Sequence, residues 1–434
     1  MRVCLFEDSR VAHLEPLSLS RPAFDLLCGQ TTLGQKQSRY FGVTSPSVLI
    51  RPYLAELYRA RHAHTTVNDW NWIRAQPVVF VNARWLPPSR GFRTHPDASA
   101  LLANEPLVAL IDNQIAYAVL HPKHLRECTT ETLDSYLEGV RDALPSVPAE
   151  GSLIEYPWQI IDHNGEQLHY DFEAIGSRSQ VGWRPASFHV VGPADRLLID
   201  PSARLDPLVV ADTTHGPVVI DRDAVVTAFS RLEGPCYIGR GTHVMGAKIR
   251  GGTTLGPNCR VGGEIEASIL QGNSNKYHDG FLGHSYVGEW VNLAAGTHTS
   301  DLRCDYGEIG IMNNGVRTAT ARRKLGSFIG DHTKTGLGTL LNTGTNIGIF
   351  ANLLPSGELL PKYVPSFCQV LHGRVSDMTD LSELFTTAAI VMRRRGESFT
   401  SLHQTQFRYL FEQTMDLRMG AIRDGEQRRL RKSA

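Results

Sequence analysis

A chain of 434 residues has room for two or three domains, and 41% hydrophobic with 20% charged residues is the make-up of an ordinary globular protein with ample core. Its 44 basic residues balance 44 acidic ones, so no global field points to nucleic acid or to an anionic membrane surface. The start, MRVCLFEDSR, is charged early and has no long apolar core, and no apolar run reaches the roughly 20 residues of a membrane span; a cytoplasmic protein is expected.

In the first third, VCLF (3–6), VLI (48–50), VVFVN (78–82) and LVALID (107–112) read as buried strands. YLAELYRARH (53–62) and LDSYLEGVRDAL (133–144) read as helices. The alternation predicts an α/β, Rossmann-type domain with a largely parallel sheet. Ligands of such sheets bind beyond the carboxyl ends of the strands, which places FEDSR and Asn82-Ala83-Arg84 at the expected site. The seven cysteines (Cys4, Cys28, Cys128, Cys236, Cys259, Cys304 and Cys368) are scattered and form no CxxC, a pattern of free thiols rather than of a zinc site.

Proline and glycine rise after residue 145, and HVVGPADRLLIDPSARL (189–205) reads as a transition. Beyond it, aliphatic residues recur every six positions: Ile220, Val226, Leu232, Ile238 and Val244, then Leu255 and Val261, Val287 and Leu293, and Ile329, Thr335, Leu341, Ile347 and Leu353. A period of six fits neither a helix nor a simple strand; it predicts a hexapeptide parallel β-helix, left-handed as such repeats are, with each aliphatic residue facing inward. From about residue 378 the spacing becomes helical, and the helices are expected to pack on the coil stack, ending in the basic RRLRKSA. The expected domains are 1–188, 189–375 and 376–434.

Within the repeats, His278, His284 and His298 fall close together. Imidazole is a common zinc ligand, but nothing in the spacing selects a three-histidine metal site over solvated histidines. The stretch from His278 through Leu282-Gly283 to Glu289-Trp290-Val291-Asn292-Leu293-Ala294-Ala295-Gly296-Thr297, following an α/β domain, resembles the bifunctional N-acetylglucosamine-1-phosphate uridyltransferase/glucosamine-1-phosphate acetyltransferase family, and a sister branch of sugar nucleotidyltransferases in particular. The resemblance implies acetyl-CoA as acyl donor, His278 as general base, Asn292 and His284 as acceptor contacts, and Ala295, Gly296 and Thr297 at the acyl donor. It also implies a homotrimer. The chain departs from the pattern at Phe281, where the family has a sugar-binding tyrosine, at Asp301 in place of an asparagine, and at Glu266 in place of a phosphate-binding lysine. Lys276, Arg322, Arg323 and Lys324 are the cations at hand to replace that lysine.

In the first domain the resemblance implies a nucleoside triphosphate and Mg²⁺, with a sugar 1-phosphate as acceptor. Arg10, Arg21 and Pro22 echo the family order, whereas the glycines before Arg10 are absent and Ala23 stands where a lysine is expected; Lys36 is the cation that could replace it. Asn82 and Arg84 stand near the family's metal-binding aspartate, for which Asp112 is the candidate here. Trp158, Asn164 and Asp171 are further candidate substrate contacts. Three functions follow: a two-step transferase, an acyltransferase with a degenerate first domain, or a non-catalytic scaffold that binds a nucleotide sugar.

Overall fold

The computed structural model describes residues 2–89, 105–175, 188–355 and 360–433, and the side chains of all of these but 175 and 428–433. The side chains of RRLRKSA thus lie outside the described residues. Two compact units form, one from Met1–Leu14, Ser20–Leu26 and Thr31–Tyr156, the other from Glu15–Leu19, Leu27–Gln30 and Pro157–Ala434.

The first unit is built on a six-stranded sheet in the order Ser47–Leu49, Val3–Phe6, Val78–Asn82, Gln114–Leu120, Leu107–Ile111 and Ser146–Pro148. The first three strands run parallel, as the sequence predicts, and helices Pro52–Arg61 and Leu133–Ala143 stand where helical spacing puts them. The sheet is mixed, however, because Leu107–Ile111 turns straight back into Gln114–Leu120. Asp112 and Asn113 form the two-residue turn with φ of 47° and 61°; short polar side chains tolerate that left-handed backbone, and it suits the twist of a hairpin. Phe6, Phe80, Val108, Ala118 and Leu137 are among the core residues of this unit.

The second unit is a parallel β-solenoid. On one face the rungs run Ile220, Ile238, Leu255, Leu270, Val287, Ile329, Ile347 and Val364, each pairing with the next in a nine-stranded parallel sheet. All are buried and share one core, which is what the six-residue period demands. The slips in the period are coils shortened by a residue or more, as from Leu255 to Leu270, and one insertion between Val287 and Ile329 that carries the hairpin Ile309–Asn313 and Val316–Arg322.

One corner of the coils is left-handed from Asp223 onward: Asp223, Gly241, Asn258 and Asn273 are followed by Trp290, His332, Phe350 and Phe367, all with positive φ. In the last coils the corner is aromatic. His332 stacks on Phe350 at 4.5 Å and Phe350 on Phe367 at 5.4 Å. Helices Leu381–Arg393 and Ser401–Gln413 cover this column with Phe385, Phe407 and Phe411, and a third helix, Met415–Ser433, follows.

Candidate functional site

In the first unit a cleft opens beyond the carboxyl ends of Val3–Phe6 and Val78–Asn82. Its lining includes Asp8, Ser9, Arg10, Asn82, Asp134 and Arg141. A buried cation organises one wall. Arg84 is wholly enclosed and donates to both oxygens of Asp8 (Nε to Oδ1 2.8 Å, Nη2 to Oδ2 2.7 Å), to Gln114 (3.0 Å) and to Glu155 (3.0 Å). Such a charge is tolerable in the interior because every direction of its fork meets an acceptor. Asn82 donates to Asp8 Oδ2 at 2.8 Å, and its carbonyl and that of Trp85 accept from Gln37 on helix Leu33–Phe41. Thr32 and Gln35 cap that helix reciprocally.

The expected site residues sort by accessibility. Arg10 is half exposed at the cleft, with Nη1 3.3 Å from Glu155. Asn82 and Arg84 reach the cleft as structure, holding Asp8. Lys36 is buried on its helix rather than presented to a ligand. Arg21 is partly buried, and its carbonyl accepts from Arg51. Ala23, where a cation was sought, is buried, and its amide donates to Glu7, which is paired with Arg51. Asp8, Glu155 and Asp134 (which accepts from the Ser9 amide at 2.9 Å) were not singled out from the sequence. Only Asp8 carried a signal there, as part of the loop after the first strand.

The magnesium expectation does not fit these residues. Asp112 stands exposed in its hairpin turn, and Asp8 is spoken for by Arg84 and Asn82. Among the described residues no three His, Cys, Asp or Glu side chains converge as a metal site, the three histidines included.

Asn164 and Asp171, on helix Pro157–Ile175, are buried in the second unit and serve the segment Leu27–Gln30. Asn164 Oδ1 accepts from the Gly29 amide at 2.6 Å, and Asp171 Oδ2 from the Gln30 amide at 2.8 Å. Trp158 is buried on the same helix.

On the solenoid the residues around 275–301 divide between two corners. His278 is exposed, with its ring edge-on to Tyr277. Lys276 is buried, and its ammonium donates to the carbonyls of His278 (3.0 Å) and Gly262 (3.3 Å); burial pushes its pKa down to about 8, against the pull of Asp279. Asn292 is exposed and accepts from Asn275 at 3.3 Å. Gly296 takes a left-handed φ of 70° next to the partly buried Ala295, and the buried Thr297 hydroxyl meets that of Thr335 at 2.7 Å.

The other corner gathers Phe281, His284, Asp301, Lys324 and Glu266. His284 Nδ1 lies 2.7 Å from Asp301 Oδ2, and Lys324 Nζ 3.5 Å from Glu266. Gly283 makes the space: a Cβ there would fall 2.5 Å from both the Asp301 carboxylate and the Phe281 ring. Burial pushes the Asp301 carboxyl up, but the His284 hydrogen bond and the charges of His284 and Lys324 outweigh it and hold the group below its ordinary value. Of the remaining cations, Arg322 pairs with Asp162 at 2.8 Å.

Residues 3–180 match a family model described as sugar nucleotidyl transferase. The chain is 35% identical over 109 residues to a bifunctional sugar-1-phosphate nucleotidylyltransferase/acetyltransferase of Sulfurisphaera tokodaii, a match that covers 25% of this chain and 27% of the relative. It is 34% identical over 114 residues to the bifunctional protein GlmU of Azorhizobium caulinodans (25% and 24% covered), and 30% identical over 210 residues to that of Paracoccus denitrificans (44% and 43%). The matches thus span from about a quarter to less than half of these relatives. No described helix is long and apolar enough to cross a membrane.

Proposed function

We propose, from the match of residues 3–180 to the sugar nucleotidyl transferase model, that the first unit transfers a nucleotidyl group from a nucleoside triphosphate to a sugar 1-phosphate. The solenoid is proposed to transfer an acetyl group from acetyl-CoA to an amino sugar. The observation that carries the first part is the polar cleft at the strand ends, lined by Asp8, Arg10, Asn82, Asp134 and Arg141 inside the family-matched segment. A phosphate oxygen of the sugar attacks the α-phosphorus, pyrophosphate departs, and Arg10 offsets charge on the transferring group. Mg²⁺ is proposed to enter bound to the triphosphate rather than held by the protein. We further propose, on the family resemblance, that His278 is the base of the acetyl step and that the chain assembles as a homotrimer, for which sedimentation at three chain masses is the expected result.

The test is pyrophosphate release from mixed nucleoside triphosphates with a panel of sugar 1-phosphates. Arg10→Ala is expected to slow release by about 100-fold or more, the usual loss on removing one charge-stabilising group. The buried Ala23 and its Glu7–Arg51 neighbours favour a second reading, in which the first unit binds a nucleotide without catalysis. Nucleotide binding with no pyrophosphate release from any sugar would select that reading.

A further inference from the structure

We propose that His243, Arg260 and Arg395 form a binding site for a phosphate group on the outer face of the solenoid. His243, Arg260 and Asn275 stand on successive rungs of one parallel sheet, each the register partner of the next. Side chains alternate along a strand, so with Val244, Val261 and Lys276 turned into the core these three face outward. At about 4.8 Å per rung they span about 10 Å along the solenoid. Arg395 arrives from the far end of the chain. Of the three consecutive arginines 393–395 at the end of helix Leu381–Arg393, the first two are exposed, and Arg395 turns onto the solenoid, where its Nη2 donates to Asn275 Oδ1 at 2.7 Å. The backbone that presents it is fixed. Gly396, at φ 77°, closes the helix, its amide donating to the Arg393 carbonyl and the Glu397 amide to that of Met392, both at 3.0 Å.

The cluster is singled out by its want of a counter-charge. Elsewhere on the outer faces the arginines are matched: Arg231 pairs with Asp212 and Glu233, and Arg250 with Glu264. Arg260 instead spends Nη1 on the carbonyls of Gly241 and Cys259, both at 2.9 Å, and among the described residues neither it nor Arg395 meets a carboxylate. Even Glu397, two residues from Arg395, is exposed and makes no ion pair with it. Burial lowers the proton affinity of all three cations, and their neighbours lower it further: Arg260, Arg204 and Arg395 act on His243, Arg395 on Arg260, and Arg394 on Arg395. Two guanidinium forks and an imidazole suit a tetrahedral oxyanion, which offers several oxygens and up to two charges where a carboxylate offers two oxygens and one charge. A phosphate bound here replaces mutual repulsion with charge-assisted hydrogen bonds.

The experiment titrates the full chain with inorganic phosphate, for the free ion, and with ADP, for a phosphate carried on a nucleotide. Ionic strength is held constant with chloride, and heat and thermal melting are followed. Wild type is compared with Arg260→Gln, Arg395→Gln and Arg10→Ala, the last a control for anions in the cleft of the first unit. The two glutamine variants lie on different elements, so one that fails to fold, seen in melts without phosphate, leaves the other as the test. The expected result is binding of at least one titrant that survives Arg10→Ala and weakens about 10-fold or more in each folded glutamine variant, the loss of one hydrogen bond to a charged group; the tighter titrant identifies the source of the phosphate. Binding lost in Arg10→Ala but kept in the glutamine variants would belong to the cleft and overturn the site. So would a wild type indifferent to both titrants. A change of sedimenting mass in the glutamine variants, with no phosphate binding by wild type, would show that the arginines meet carboxylates of another copy instead.

Discussion

Lys276 occupies a rung that Leu205, Val226, Val244 and Val261 hold in the coils before it, each pairing with the next. In the sequence it reads as spare charge for an anion; on the solenoid its rung faces inward, and the side chain is 1% exposed. Two carbonyls receive the ammonium, yet burial still lowers its pKa to about 8. The sign of the resulting pH dependence is fixed. Below pH 8 the lysine is charged in both folded and unfolded chains, and the folded chain bears the full penalty of the charge. Between about 8 and the unfolded value near 10.4 the unfolded chain holds more protons, so stability rises with pH across that window. Replacing Lys276 by Met is therefore expected to stabilise the protein at pH 7 by at most about 3 kcal/mol, less what the two carbonyls lose. The gain should vanish by about pH 10.5. Urea melts of both proteins across that range check it, and a pH-independent difference would refute the account. Arg84, Lys36, Asn164 and Asp171 teach the same lesson. Sequence flagged them as ligand contacts because polar residues near a motif look functional, and only three-dimensional burial reveals which are spent on the fold.

At the scale of elements the period of six was fully legible, because an inward side chain repeats with the coil whatever the rest of the turn contains. The insertion between Val287 and Ile329 and the short coils were visible only as slips. The left-handed corner was less legible. Asp223, Gly241, Asn258 and Asn273 are residues that accept positive φ, but Trp290, His332, Phe350 and Phe367 are not. A bulky residue there costs roughly 1–2 kcal/mol, and the compensation comes from outside the repeat, in the helices that pack on the aromatic column. Phe350 is the centre of that packing, stacked between His332 and Phe367 and met edge-on by Phe407. Truncation to alanine should cost about 3–5 kcal/mol. Because the lost contacts are those of the covering helices, hydrogen exchange should quicken first in Ser401–Gln413. Uniform loosening along the whole solenoid would mean that the column does not anchor the helices.

Across the whole molecule, the order of segments along the chain differs from their grouping in space. Leu27–Gln30 comes early in the sequence but belongs to the solenoid unit, where its backbone is the partner of buried polar groups. The Leu27 amide donates to Gln271 (3.1 Å) and Tyr286 (2.9 Å), the Gly29 amide to Asn164 and the Gln30 amide to Asp171, while the Gly29 carbonyl accepts from Thr254. No local pattern in the sequence could announce this, since the pairing joins positions more than a hundred residues apart and depends on which backbone groups lack a strand neighbour. It does carry a consequence for where the chain can be cut. A fragment beginning at Pro157 keeps every rung of the solenoid but strips those side chains of their partners, and each orphaned group costs about 1–3 kcal/mol. Such a fragment should melt well below the corresponding transition of the full chain, and adding Asn164→Ala should destabilise the full chain more than the fragment, in which Asn164 has already lost Gly29 and keeps only its bonds to Gly252 and Thr254. Equal stability of fragment and full chain would show that the early segment only rests on the solenoid rather than completing it.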